Sequence, residues 1–221
     1  ESLFKTMTYQ EYGTFFHVGM VERNEHNAII QHGTMTAVRR SALLKVGGWS
    51  EWCITEDTEL GFKLLEAGYR CIYVSRSLGR GLMPDTFAAY KAQRHRWVYG
   101  AMQIAKRHAK ALRSQDSKLT PAQRYHFVAG WLPWFADAFA LVFAVGALVW
   151  SSLMIVDPKQ FDVPMMALSA IVLLLFLVKV AKTLWLHAAK TGNGLGSAIA
   201  ASVAGLGLSW TVGRAVWLGL F

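Results

Sequence analysis

Residues 54–74 read "ITEDTELGFKLLEAGYRCIYV". Thr55 stands where a helix N-cap belongs. Glu56 and Asp57 follow in the first turn, where carboxylates complement the positive end of the helix dipole. Leu60, Leu64 and Leu65 form an apolar stripe at helical spacing, and Gly68 is a stop signal. Tyr69 to Val74 then alternates as a strand does. Helix, glycine and strand in that order predict an α/β domain.

Upstream, residues 1–21 suggest a helix carrying Phe4, Phe15 and Phe16, interrupted at Gly13. "RNEHN" reads as a polar turn. "AIIQHGTMTAV" reads as a short apolar strand broken at Gly33, and "RRSALLKVGGW" as a short helix stopped by Gly47 and Gly48. Downstream, Pro84 and Asp85 open a helix expected to reach about Leu112, with Asp85 capping its start. That helix is amphipathic and basic, the pattern of a helix lying at a membrane surface.

The 221 residues are 53% hydrophobic, but unevenly so. From Phe127 onward, only Asp137, Asp157, Lys159, Asp162, Lys179, Lys182, Lys190 and Arg214 carry charge. Phe127–Trp150 holds one charge in 24 residues, long enough for a bilayer core of roughly 30 Å. Val163–Leu186 reads as a second span, with Lys179 and Lys182 snorkelling at its far end. Gly194–Phe221 is rich in small residues and reads either as a third span or as an interfacial helix.

The net charge of +9 concentrates between Lys91 and Arg124, where nine Lys and Arg face one acid, Asp116. This block abuts an apolar span, so the positive-inside rule accounts for it and nucleic acid does not. By that rule the first span leaves the cytosol and the second returns. Cys53 and Cys71 have no metal or redox spacing and fit reduced thiols. No residues are assigned as metal ligands.

Two motifs carry chemistry. A capped acidic helix is the commoner reading of Thr55-Glu56-Asp57. Yet Glu56, Asp57 and Glu59 place three carboxylates in four residues, more than capping requires. One of them, at a rigid loop-to-helix junction, can serve as a general base. In "QRHRW", Gln93, Arg96 and Trp97 share one helical face, with Tyr90 and Gly100 extending it. Arg suits a diphosphate, Trp stacks on a sugar, and Gln can bond a hydroxyl. Headgroup binding and interfacial anchoring explain Arg94 and His95 equally well, but not the shared face.

"TED" followed by "QRHRW" resembles the TED and QxxRW signatures of family 2 processive glycosyltransferases, the cellulose synthase and bacterial β-glucan synthase group. "QHGTMTAVRRSALLKVGGW" is similar to the segment before TED in that family, over residues that put His32, Gly33 and Thr34 at an acceptor-lining turn. The resemblance implies the second half of a GT-A (Rossmann-like) domain over 1–82, an interfacial amphipathic helix and linker over 83–126, and two to three transmembrane helices over 127–221. It implies inverting transfer from a UDP-sugar to a growing β-glycan, β-glucan being the expected polymer. Asp57 would be the general base, and Glu56, Gln93, Arg96, Trp97, His32, Gly33 and Thr34 would bind substrate. Mg2+ or Mn2+ is implied, its ligands and the other donor motifs expected upstream of this chain. The piece is therefore expected to be inactive alone. The bilayer is a partner, accessory synthase subunits are possible partners, and the setting is a bacterial inner membrane with the catalytic part facing the cytosol. Two alternatives stay open: a non-enzymatic transporter or scaffold subunit, and a non-processive lipid-linked glycosyltransferase.

Other residues receive plainer readings. His17, His26, His108, His126 and His187 are expected at the surface or at interfaces. Asp137 reads first as channel-lining, with pairing or a position near the end of the span as alternatives. Trp131, Trp134 and Trp150 are expected to anchor or pack helices, with stacking on a passing glycan as the alternative.

Overall fold

The computed structural model describes residues 3–79, 81–161, 165–186 and 195–221. The chain opens with α1 (Leu3–Thr14), a π-helical turn (Phe15–Gly19) and α2 (Met20–Glu25), with the residues at both junctions in helical geometry. The expected helix thus passes through Gly13 and also takes up Arg23–Glu25, where a turn is expected. The turn falls instead at Asn27, whose φ is 50°.

No paired strand exists among the described residues, which are mostly helical. The expected strands around 28–38 and 69–74 are unpaired segments. Their hydrogen bonds go elsewhere. The Asn24 side chain accepts from the Tyr73 N–H at 2.7 Å, and the Asn27 side chain from the Cys71 N–H at 2.8 Å. Asn27 also donates to the Tyr69 carbonyl at 3.4 Å. Two asparagines at the end of α2 therefore take alternate N–H groups that a neighbouring strand would take.

The helix stops follow the glycines. α3 (Arg40–Lys45) ends where Gly47 and Gly48 adopt φ of 81° and 71°. α4 (Glu56–Glu66) ends at Gly68, φ 86°, where the Gly68 and Tyr69 N–H groups donate back to Leu65 and Leu64, both at 2.9 Å. Leu60, Phe62, Leu64 and Leu65 form its buried face.

α5 (Phe87–Arg107) is the centre of the molecule. Thr86, not Asp85, caps it, accepting from the Ala89 N–H; Asp85 pairs with Lys5 of α1. The expected helix to Leu112 breaks at His108 into a separate α6 (Ala109–Arg113). α5 buries Tyr90, Val98, Ala101, Met102 and Ile104 in the main core, which Phe62, Phe127, Val212 and Val216 share.

α7 (Pro121–Val156) begins with a complete capping box between Thr120 and Gln123. Its 36 residues reach about 54 Å at the helical rise, well beyond a bilayer core. Among the described residues it alone is long and apolar enough to cross a bilayer as one helix. It carries the first expected span within it. α8 (Met165–Leu186) follows the second expected span, whose first residues, 163 and 164, lie outside the described residues. α9 (Leu195–Gly207) and α10 (Ser209–Leu220) meet at a bend of 48°, so the C-terminal segment is at most a broken span.

α10 lies against both α5 and α7 through glycines. A β-carbon at Gly219 would sit 2.6 Å from Met102 Cβ, and one at Gly213 would sit 3.1 Å from the Asp137 carbonyl oxygen. Lys179 does not snorkel: its ammonium meets Asp137 at 2.6 Å and donates to Ser209 Oγ at 2.8 Å and the Gly205 carbonyl at 3.2 Å. Of the readings of Asp137, pairing is the one the structure shows. Trp131 is buried and Trp134 packs against the same core; Trp150 meets Phe161 edge-on.

Candidate active site

Asp57 sits in the first turn of α4, half-buried, with Oδ1 accepting from the Thr58 N–H at 2.7 Å. Its other oxygen rests on Gly33, where an added β-carbon would lie 3.3 Å from Oδ2. His32 is next to this carboxylate. Burial lowers the His32 pKa below its ordinary value, against the opposing pull of the Asp57 charge, so the imidazole is neutral near pH 7. The turn is shaped by Met35 at φ 57° and by Thr36, whose hydroxyl donates to the His32 carbonyl at 2.8 Å. Thr34 is exposed on it, and Glu56 is exposed beside Asp57.

Thr55 occupies the N-cap position, but its side chain makes no cap hydrogen bond. It packs on α5 instead. A β-carbon at Gly100 would lie 2.3 Å from Thr55 Oγ1, so only glycine lets the two elements approach this closely. Gln103, one turn further, clamps the same loop: it accepts from the Ile54 N–H and donates to the Trp52 carbonyl, each at 3.3 Å.

A second link joins the motifs through α1. α1 reaches α5 through side chains, with Phe4 edge-on to Tyr90 and Tyr12 edge-on to Trp97 at 5.7 Å. Tyr12 donates to Gln93 Oε1 at 2.6 Å. Tyr12 also stacks with Phe16, and Phe16 packs on the His32 ring at 5.2 Å. Gln93 and Trp97 thus connect to His32, Gly33 and Asp57 through a short aromatic bridge.

Arg96 is exposed on this face, while Tyr90 and Gly100, expected to extend it toward a ligand, are buried in packing. Arg94, which headgroup binding would explain, lies with its guanidinium over three rings, 4.4 Å from the Trp97 centroid and 5.0 Å from those of Tyr12 and Tyr90. Such cation–π contacts hold the Trp97 ring from behind.

Glu59 does not join the other carboxylates. It is 2% exposed and turned to the opposite side of α4, where Ser50 Oγ (2.7 Å), Lys63 Nζ (3.0 Å) and His108 Nε2 (3.1 Å) surround it. Burial works to raise its pKa, but these hydrogen bonds and the Lys63 charge outweigh burial and hold it below the ordinary glutamate value. His108, with its side chain 15% exposed, is a packing partner at an interface, one of the two settings expected of it. His26 and His126 pair at 3.0 Å, His17 is exposed, and His187 lies outside the described residues. Burial raises both the Cys53 and Cys71 thiols, consistent with unreactive reduced cysteines. Among the described residues no three His, Cys, Asp or Glu side chains converge as a metal-ligand set.

The described residues thus bring a carboxylate beside a glycine turn together with an Arg- and Trp-bearing helix. Residues 2–189 match the profile of the family described as Glycosyl transferase family group 2, and the chain belongs to that family. It is 34% identical over 95 residues to the cellulose synthase catalytic subunit [UDP-forming] of Xanthomonas axonopodis pv. citri (strain 306), covering 42% of this chain and 13% of that protein. It is 33% identical over 78 residues to the probable glucomannan 4-beta-mannosyltransferase 4 of Oryza sativa subsp. japonica, covering 35% and 14%. It is 35% identical over 68 residues to the probable glycosyltransferase YdaM of Bacillus subtilis (strain 168), covering 31% and 16%. The chain spans only about a seventh of the length of such relatives.

Proposed function

We propose that this chain carries the acceptor-side half of an inverting glycosyltransferase site that extends a β-glycan from a UDP-sugar. The supporting observation is the double link between Asp57 and the Gln93–Trp97 face, through Thr55 on Gly100 and through Tyr12, Phe16 and His32. The similarity to a UDP-forming cellulose synthase subunit and to a probable glucomannan 4-beta-mannosyltransferase supports the donor and the β-linkage.

In this reading Asp57 takes the proton of the acceptor hydroxyl as its oxygen attacks the anomeric carbon. The bond from that carbon to the diphosphate oxygen breaks, UDP leaves, and configuration inverts. An ordinary carboxylate serves, because the hydroxyl becomes acidic only late in the transfer. Arg96 offsets charge developing on the departing diphosphate. Trp97, buttressed by Arg94 and Tyr12, offers its ring to the terminal acceptor sugar, and His32, Gly33 and Thr34 line the acceptor path with Glu56 at its edge. The described residues do not supply a metal-ligand set, so no step is derived through Mg2+ or Mn2+.

The same reading carries the GT-A assignment of residues 1–82, the linker at 83–126 and a membrane region of two to three spans from 127. It sets the catalytic part on the cytosolic face of a bacterial inner membrane, with accessory subunits as further partners. The test is turnover by the full-length protein in membrane vesicles given a panel of UDP-sugars. Formation of a β-linked polymer with release of UDP is expected, and its length reports processivity. Failure to release UDP from any donor contradicts the proposal.

A further inference from the structure

We infer that Tyr12 is a positioning residue that fixes the polarity of Gln93, making its amide a pure donor toward the diphosphate of the nucleotide sugar. This rests on the function proposed above. The amide has an acceptor end, Oε1, and a donor end, the NH2 group. Tyr12 donates to Oε1 at 2.6 Å, a short contact for an O–H···O bond to a neutral acceptor. With the carbonyl held by the phenol, the end left to meet a ligand is the NH2, which offers two N–H donors and accepts nothing.

Three observations make this a built arrangement. α1 is fastened to α5 by Phe4 on Tyr90 and by the Lys5–Asp85 ion pair, so Tyr12 arrives in register with Gln93 and Trp97. The Tyr12 ring is held on its other sides by Trp97, Phe16 and the Arg94 guanidinium. Gln93 itself is only partly buried, so its amide is within reach of a ligand. Lys91, Arg94 and Arg96 on the same helix give this stretch a positive charge that favours an anion. A sugar hydroxyl can donate or accept and would tolerate either amide orientation. Diphosphate oxygens only accept, and they select the orientation that Tyr12 enforces.

The experiment measures binding of UDP alone to the purified full-length protein, with three variants. Tyr12→Phe keeps the ring and its contacts with Trp97 and Arg94 but removes the donor. UDP affinity is expected to fall roughly three- to tenfold, the size of one hydrogen bond. Gln93→Glu keeps the shape and the bond from Tyr12, but turns a carboxylate oxygen toward the diphosphate. UDP affinity is expected to fall more than about tenfold, with the KM for acceptor changed far less. In Tyr12→Phe/Gln93→Glu the two losses are expected not to add, because both act through one contact. Unchanged UDP affinity in Tyr12→Phe and in Gln93→Glu, or a loss confined to acceptor use, overturns the inference. A wild-type protein that binds no UDP would instead overturn the donor assignment on which it rests.

Discussion

Thr55 sits on Gly100. A β-carbon at position 100 would approach Thr55 Oγ1 to 2.3 Å and Cγ2 to 2.6 Å, closer than any side chain tolerates. This contact sets the distance between the start of α4, which carries Asp57, and the helix carrying Gln93, Arg96 and Trp97. Gly100→Ala is therefore expected to force the two apart, costing on the order of 1–3 kcal/mol of stability and lowering transfer activity. Thr55→Ala in the same background should recover part of both. Thermal unfolding and activity of the two variants check this; a silent Gly100→Ala would show that the contact does not set the site.

Glu59 is predicted to matter for stability and not for chemistry. It is a buried carboxylate held by Ser50, Lys63 and His108. Removing one member of a buried charge network leaves the others uncompensated, at a cost of roughly 3–5 kcal/mol. Glu59→Ala should lower the unfolding midpoint sharply, whereas Glu56→Ala, at an exposed position, should leave it almost unmoved. Denaturant or thermal melts of the two variants separate the carboxylates.

His32 supplies a pH prediction. Its folded-state pKa lies below the ordinary 6.5 because burial disfavours the charged ring. The unfolded chain then binds the proton more readily than the folded one. The stability contributed by the neutral ring is complete above about pH 6.5 and is lost as pH falls toward the depressed folded value. Melting temperatures measured from about pH 8 to about pH 5 should decline more steeply for wild type than for His32→Gln. Parallel curves would contradict the burial of this ring.

The pair between Asp137 and Lys179 joins α7 to α8, and Lys179 ties both to the bend before Ser209. A charge at membrane depth is tolerated when it is paired. Lys179→Met should destabilise the detergent-solubilised protein more than the double variant Asp137→Asn/Lys179→Met, which removes both charges. Equal loss in the two would show that the pair carries no coupling.

The sequence shows some of this and hides the rest for physical reasons. Gly68 ends α4 as expected, because a glycine stop is a local signal that depends on a few adjacent residues. That Gln93, Arg96 and Trp97 share one side of a helix is legible because residues at i, i+3 and i+4 must do so. What lies across the chain is not. Nothing local reveals that Thr55 turns away from its cap to reach Gly100, or that His108 is the residue that meets Glu59. Arg94 stands four residues after Tyr90 and three before Trp97, so helical spacing already sets it beside both rings; only the arrival of Tyr12 is tertiary. Tyr12 has no motif at all; its only signal is an aromatic cluster with Phe15 and Phe16 near a helix end. The Asn24 and Asn27 bonds to Tyr73 and Cys71 are likewise invisible, since asparagine after a helix reads simply as a turn.

The most direct measurement is polymer synthesis from the UDP-sugar by the full-length Asp57→Asn protein in membrane vesicles. The substitution keeps shape and removes the base. Synthesis is expected to fall by on the order of 10²–10⁴, with the protein expressed at its normal level and UDP still bound. Near-normal synthesis would mean that the carboxylate resting on Gly33 is not the group that takes the acceptor's proton.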